Sequence, residues 1–370
     1  MYGLSPGEYY LLALPGPFAQ QPTGPGAVAV VAPSGFAPTY YPGTDQAINA
    51  KPVNVSVGQD VLDASFALTP APMATVSGKA IDTAEHPVAG ARLMLLQTQG
   101  GDVRAIIPAI ASTAADGSFS YRSVPAGTYV LQGFGPTGFG SLPLAVAPAP
   151  GAARIADVSL TIRPLTTLRG HVSFEGGAPP PKERVDVRIQ PTDFAAGPVG
   201  GNRIPSHVMD DWSFDIGPVA AIGVVRAVTP PGWALKSVML DGKDITDTSN
   251  DFRMADVGGI DVLLTSHVGS LDGTVQDGDK PALEYGVVVF PDDKDKWTFP
   301  SRFVTLARPS QQGAFTVPNL LPGRYLVVAV PALPGMEADP AWLASMRASA
   351  TPVTIGDGAN TKTVLKLIKR

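Results

Sequence analysis

Short apolar runs bounded by Pro and Gly recur along the chain. Three segments share one punctuation: Leu4-Ser5-Pro6-Gly7-Glu8-Tyr9, Val124-Pro125-Ala126-Gly127-Thr128-Tyr129 and Leu321-Pro322-Gly323-Arg324-Tyr325. Each opens onto an apolar run, at 10–14, 130–134 and 326–330, and such a run beginning at a Pro-Gly turn predicts a buried strand. Upstream of two of them lies a Gly-x-Phe, at Gly117-Ser118-Phe119 and Gly313-Ala314-Phe315, with the Phe ten residues before the Tyr in both. The same offset in the middle of the chain places Phe214, in Asp211-Trp212-Ser213-Phe214, ten residues before Val224. The Pro-Gly turn and the Tyr are eroded there, but the strand pattern Ile222-Gly223-Val224-Val225 remains. Phe119, Phe214 and Phe315 are 95 and 101 residues apart, a period that fits one β-sandwich each.

Segment starts repeat as well. Thr75-Val76-Ser77-Gly78-Lys79-Ala80, Leu168-Arg169-Gly170-His171-Val172 and Ser270-Leu271-Asp272-Gly273-Thr274-Val275 each set a Gly inside a short alternating strand. The spacing predicts complete domains at 71–163, 164–265 and 266–370, with Pro-containing joints at Thr69-Pro70-Ala71-Pro72 and Arg163-Pro164. Residues 1–70 read as the C-terminal part of a further sandwich whose first strands are missing, so the chain is expected to be a piece of a longer protein or to begin at an internal start. Glu284–Phe290 and Arg324–Val330 read as buried strands. One short helix is predicted near the C-terminus, with Asp339 as N-cap, Pro340 at its first position, and Trp342 and Met346 on one face. Tyr9, Tyr129 and Tyr325 are expected to return their hydroxyls to the preceding turn, with Gly supplying the turn's backbone conformation.

Composition narrows the class. The 370 residues include 40 Gly and 38 Pro, which leaves little room for long helices, while a hydrophobic fraction of 44% supplies material for real cores. The fold class is therefore all-β. Charged residues make up 16% with a net charge of −5 and no basic stripe, which argues against nucleic acid as a partner. No window is apolar enough for a membrane span, and the N-terminal stretch lacks the basic and helical apolar regions of a signal peptide. Cysteine is absent, which excludes disulfides, thiolate metal sites and Cys nucleophiles.

Four stretches together resemble the carboxypeptidase regulatory-like domain: Val76–Asp82, His86–Leu93, Ala115–Phe119 and Val124–Leu131. The third repeat resembles it through Gly313-Ala314-Phe315 and Leu321–Tyr325, and the second through strand spacing and Pro230-Pro231-Gly232-Trp233–Val238. The resemblance implies tandem seven-stranded transthyretin-like, Ig-like sandwiches. It also implies a non-catalytic module of the kind that accompanies metallocarboxypeptidases, outer-membrane receptors and long bacterial surface or periplasmic proteins. The expected location is thus periplasmic, outer-membrane-associated or secreted, with a protein or polysaccharide partner.

Residues that could carry chemistry do not assemble in the sequence. His86, His171, His207 and His267 are single and far apart, without the spacings that bring two imidazoles to one metal. Gly3-Leu4-Ser5-Pro6-Gly7 matches a nucleophile elbow formally, but no helix follows the Ser. Gly133–Gly138 matches G-x-G-x-x-G but opens no helix to hold a pyrophosphate. The acidic clusters Asp241–Asp247 and Asp292–Asp295 lack EF-hand spacing and read as solvated turns, with Ca²⁺ as the alternative. Lys79 is a candidate donor for a Lys–Asn isopeptide bond with no matching Asn in the sequence. No cofactor, metal or catalytic residue follows. The leading expectation is a non-enzymatic spacer and interaction module of a larger extracytoplasmic protein. The alternative is a carbohydrate-binding module that stacks sugars on Trp233, Trp297, Tyr40 or Tyr41, against the preferred reading of each ring as core packing or a loop anchor, given the area an aromatic side chain can bury.

Overall fold

The apolar runs become short strands, and the chain is all-β with one seven-residue α-helix among the described residues. The computed structural model describes residues 3–4, 7–14, 34–46, 49–56, 58–99, 102–103, 109–147, 153–193, 195–198, 206–283, 285–331 and 339–368. The chain divides into two compact units, Met1–Leu165 with Phe194–Gly201, and Thr166–Asp193 with Asn202–Arg370.

In the first unit a sandwich is built from β1 (Pro70–Ile81), β2 (Arg92–Gln99), β3 (Ala109–Ser112), β4 (Ser118–Pro125), β5 (Gly127–Gly135), β6 (Gly138–Val146) and β7 (Ala153–Thr161). One sheet has β1 at its centre, antiparallel to β4 and parallel to β7. The other runs β3-β2-β5-β6. Val76, Leu93, Leu95, Phe119, Leu131 and Leu160 fill the space between them. Residues 195–198 belong to this unit. Gln132, buried in β5, donates from Nε2 to the Gly197 carbonyl at 2.6 Å, and Ser141 Oγ donates to the Ala195 carbonyl.

Among its described residues the preceding segment forms short pairs: Gly7–Tyr9 with Val53–Val55, Leu12–Ala13 with Thr39–Tyr40, and Ser34–Phe36 with Pro70–Pro72. The stretch expected as a joint at 69–72 thus supplies the start of β1, because its ladder partner Ser34–Phe36 lies on the N-terminal side. Ser5 and Pro6 of the first Pro-Gly-x-Tyr segment lie outside the described residues, as does Glu284.

The second unit holds two further cores. Around the first lie β8 (Thr166–Glu175), β9 (Asp186–Pro191), β10 (Ser213–Val219), β11 (Ile222–Val228), β12 (Ala234–Leu240) and β13 (Val257–Thr265). Around the second lie β14 (Gly269–Asp277), β15 (Gly286–Pro291), β16 (Thr305–Ala307), β17 (Ala314–Leu320), β18 (Gly323–Val330), α1 (Pro340–Met346), β19 (Thr351–Ile355) and β20 (Asn360–Lys366). This last sandwich repeats the plan of the first, with β14 between β17 and β20 in one sheet and β16-β15-β18-β19 in the other.

Helix α1 begins as its sequence predicts: the Asp339 carboxylate accepts from the Ala341 amide at 2.8 Å and Pro340 takes the first position. Its buried Trp342, Leu343 and Met346 pack with Trp297 on the outer face of β15 and β18. Every residue of β15 is therefore buried, which explains a continuous apolar run in place of an alternating one.

The middle sandwich departs from the plan. Strand β12 pairs with the last strand, β13, whereas the corresponding β6 and β19 pair with the strand that precedes them. Pro230 and Pro231 stand between β11 and β12 and carry no amide proton for a ladder, and Gly232 turns with φ +86°. The chain leaves one sheet there and enters the other.

The two sequence repeats, the early Gly and the later Phe, meet in space. Gly78, Gly170 and Gly273 lie directly opposite Phe119, Phe214 and Phe315 in the antiparallel pairs. A Cβ on these glycines would overlap the carbonyl oxygens of Val158, Ile260 and Thr363 on the parallel strand. At Gly170 and Gly273 it would also stand 2.6 and 2.7 Å from the Phe ring. The ring covers the bare backbone, and the absent side chain lets the closing strand approach.

Gly273→Ala is therefore expected to destabilise the third sandwich by about 1–3 kcal/mol. Gly323→Ala, whose Cβ would meet nothing closer than 3.7 Å, is expected to change stability by less than about 1 kcal/mol. Urea midpoints of the two variants, followed by tryptophan fluorescence, check the contrast.

Candidate functional site

The Pro-Gly-x-Tyr segments are structural corners. Tyr129 Oη donates to the Pro125 carbonyl and Tyr325 Oη to the Leu321 carbonyl, each at 2.9 Å and each four residues back. Burial pushes the Tyr325 hydroxyl up to about 12, so it stays a donor at neutral pH. The glycine's role differs between copies: Gly127 has φ +155°, whereas Gly323 has no positive φ. Tyr9 lies in a short strand antiparallel to Val53–Val55.

The aromatic residues expected to stack sugars do not form a platform. Trp297 is 2% exposed and donates its indole N–H to the Pro291 carbonyl at 2.7 Å. Trp233 is 7% exposed, edge-on to Phe174 at 5.4 Å, and Tyr40 is 7% exposed. Tyr41 is half-buried against Phe66 at 5.8 Å. Their large apolar area is spent on anchoring loops, which corrects the expectation of exposed rings.

Other candidates resolve locally. His86 meets Asp82 at 3.3 Å, His171 meets the Asp211 carbonyl at 2.9 Å, and His267 meets Asp357 at 2.7 Å, each as a single pair. The His207 side chain and Ser5 lie outside what is described. Gly133–Gly138 is a β-hairpin, with Gly135 opposite Gly138. Lys79 is exposed on β1, paired in register with Ser118 and Ser159. Among the described residues no group of three or more His, Asp or Glu could share a metal ion.

What the structure does assemble is a joint inside the second unit. Only Ser266, His267 and Val268 separate β13 from β14. Arg226, 7% exposed in β11, spans the gap. Its Nη1 donates to the Thr246 carbonyl, and its Nη2 donates to Asp247 Oδ1 at 3.1 Å and to the Pro300 carbonyl of the third sandwich at 2.8 Å. Arg302 answers from the third sandwich: Nε reaches both Asp247 oxygens at 3.2 Å, and Nη1 donates to the Leu235 carbonyl at 2.7 Å. Burial pulls the Arg226 guanidinium below its usual value, and Asp247 opposes that shift. The carboxylate is what makes a desolvated charge tolerable there.

A second clamp sits at the sheet crossing. Asn319 holds φ +60° at a bulge in β17, a conformation Asn tolerates better than most side chains. Its Nδ2 donates to the Pro230 carbonyl at 3.1 Å, and its Oδ1 accepts from the Gly232 amide at 2.7 Å.

Asp244 supports the first clamp at one remove. It accepts from the Thr246 amide at 2.9 Å and the Thr246 hydroxyl at 2.5 Å, and these bonds hold its carboxyl below the ordinary 3.8. Thr246 Oγ1 in turn accepts from the Val238 amide at 2.8 Å. None of Arg226, Asp247, Arg302 and Asn319 is singled out by sequence reasoning as a group. The one available signal is an Arg inside the apolar run Gly223-Val224-Val225-Arg226-Ala227-Val228, where an unpaired charge would be costly.

No protein-family model and no curated protein matches the chain. Among solved structures it is similar to the Bacillus anthracis TIE protein, at 10% identity and a TM-score of 0.19 over 81% of this chain and 52% of that one. The chain thus spans about half of that protein's length. It is also similar to BcpA, the major pilin subunit of Bacillus cereus, at 11% identity and a TM-score of 0.21 over 80% and 99% of the two chains. The full-length major pilin SpaD from Corynebacterium diphtheriae matches at 12% identity and a TM-score of 0.22 over 80% and 98%. Nothing in the functional reading rests on these likenesses.

Two outcomes are expected from this geometry. Arg226→Met, which strands the Thr246 and Pro300 carbonyls, costs about 2–4 kcal/mol, and Asn319→Gly, which keeps the backbone conformation but removes the amide, costs about 1–2 kcal/mol. Differential scanning calorimetry should show the second and third sandwiches unfolding less cooperatively in both variants. Because the folded Asp244 pKa is depressed, its contribution is present above the ordinary value and is lost as pH falls through the lower folded value. The stability gap between wild type and Asp244→Asn, measured by urea titration at several pH values, therefore narrows below about pH 3.8.

Proposed function

We propose that this chain is a non-catalytic array of β-sandwiches that serves as a spacer and interaction module in a larger bacterial extracytoplasmic protein. Its repeating unit is a carboxypeptidase regulatory-like, transthyretin-like domain, with domains at 71–163, 164–265 and 266–370 and partner proteins meeting the loops at sandwich ends. The observation that carries this reading is the joint at 266–268. A three-residue connection, a buried guanidinium bonded to carbonyls of both sandwiches, and an amide clamped on Pro230 and Gly232 together favour a fixed angle over a swivel. A spacer that transmits orientation needs such a joint. No helix among the described residues is long and apolar enough to cross a membrane.

The absence of cysteine makes the test direct, since any introduced Cys is a unique labelling site. With nitroxides at Lys243→Cys and Lys280→Cys in the full chain, double electron–electron resonance is expected to give a single narrow distance distribution that broadens on Asn319→Gly. A broad distribution in the otherwise unaltered chain would overturn the spacer reading.

A further inference from the structure

The joint encloses more than its clamps need. Between the second and third sandwiches lies a cavity of about 210 Å³. Trp233, Leu235, Phe303 and Tyr325 supply its apolar and aromatic lining, Thr229, Thr305 and Asn319 add polar groups, and its charged lining residues are Arg226 and Arg302. Asp247, which pairs with both arginines, is not part of the lining, so the two lining arginines share one carboxylate that lies outside the cavity.

The hydrogen-bond ledger of these arginines is incomplete. Arg226 Nε is sealed from water and has no acceptor, so its donors are not fully satisfied by the fold. Arg302 uses Nε on Asp247 and one Nη1 proton on Leu235, and the described residues supply no acceptor for its Nη2. Its Cζ lies 4.3 Å from the Phe303 ring centre, a cation–π contact that helps to hold it.

We infer that this cavity binds a small organic carboxylate with an apolar body, its carboxylate on the Arg302 guanidinium and its body against Trp233, Phe303 and Tyr325. The chemistry follows from the donor set: the Arg302 Nη2, which has no acceptor among the described residues, can make a charge-assisted N–H···O bond to a carboxylate oxygen. The size follows from the volume, which falls below the roughly 300–1,000 Å³ of sites for drug-sized ligands and suits a single ring or a short aliphatic chain. Arg226 adds a second positive charge in a region of low dielectric, where it acts on the ligand more strongly than it would in water. The ligand would bridge the two sandwiches, so occupancy would add to the clamps at the joint.

The probe is sodium benzoate, titrated into the full chain by isothermal titration calorimetry, with benzamide as its neutral isostere and sulfate as an inorganic anion. Benzoate is expected to bind at one site in the millimolar range or tighter, benzamide at least about tenfold more weakly, and sulfate without competing. Arg302→Gln is expected to weaken benzoate by at least about tenfold. Equal binding of benzamide, displacement of benzoate by equimolar sulfate, or absence of saturable benzoate binding would each overturn the inference. If Arg302→Gln does not fold, Ala234→Leu decides, because it fills the cavity and keeps both arginines; undiminished benzoate binding by that variant would sink the proposal. A failed titration leaves the distance measurement at the joint unaffected, so the two readings stand or fall separately.

Discussion

In each sandwich the last strand closes on the first at a place where a side chain would block it. Gly78, Gly170 and Gly273 clear that place, and Phe119, Phe214 and Phe315 cover it from the other side. The contact is a three-body one, of bare backbone, approaching carbonyl and overlying ring. From it follow the parallel pairing of first and last strands, the central position of the first strand in its sheet, and the orientation of the Phe toward the core. The corner tyrosines work on the opposite sheet, tying the head of β5 or β18 to the turn before it.

The middle sandwich shows what changes when one part of that scheme is lost. It keeps the Gly–Phe contact and the parallel closure but has no tyrosine corner, and its strand β12 has moved to the other sheet after Pro230-Pro231-Gly232. The crossing loop this creates is the surface that Asn319 holds, and the strand left behind, β11, carries Arg226 across to Pro300. The departure from the repeat plan and the fixed joint are thus one feature. A polar joint of this kind contributes orientation more than net stability, since the desolvation of Arg226 offsets much of what its hydrogen bonds supply.

Much of this was legible in the sequence where the determinants are local. The helix cap at Asp339-Pro340, the strands after the Pro-Gly turns at 125–127 and 322–323, and the corners at Tyr129 and Tyr325 each need only a few neighbouring residues, and these are found where the pattern puts them. For the aromatic residues the sequence leaves two readings open, because position after Pro-Pro-Gly or an acidic loop says nothing about what packs overhead; Trp233 and Trp297 are covered by Phe174 and by the face beneath α1, so anchoring is the reading that holds. Trp212 shows the limit of reading by residue type. It holds φ +65° in the turn where the other copies have Gly117 and Gly313, and its ring, 4.4 Å from Phe174, gives it a packing reason to stay.

The sequence by itself determined the all-β class, the short helix and the corners, because turn chemistry and capping act over ten residues or fewer, and it determined the repeat because those local signals recur at spacings of 95 and 101 residues. Only the tertiary structure decided that the repeated Gly faces the repeated Phe, that β12 changes sheets, and that Arg226 meets Pro300, 74 residues away, across a three-residue connection. Strand periodicity tells which face of a strand is buried but not which strand lies beside it. That choice is made by the fit of whole sheets around a core, and the joint with its cavity is a consequence of that fit.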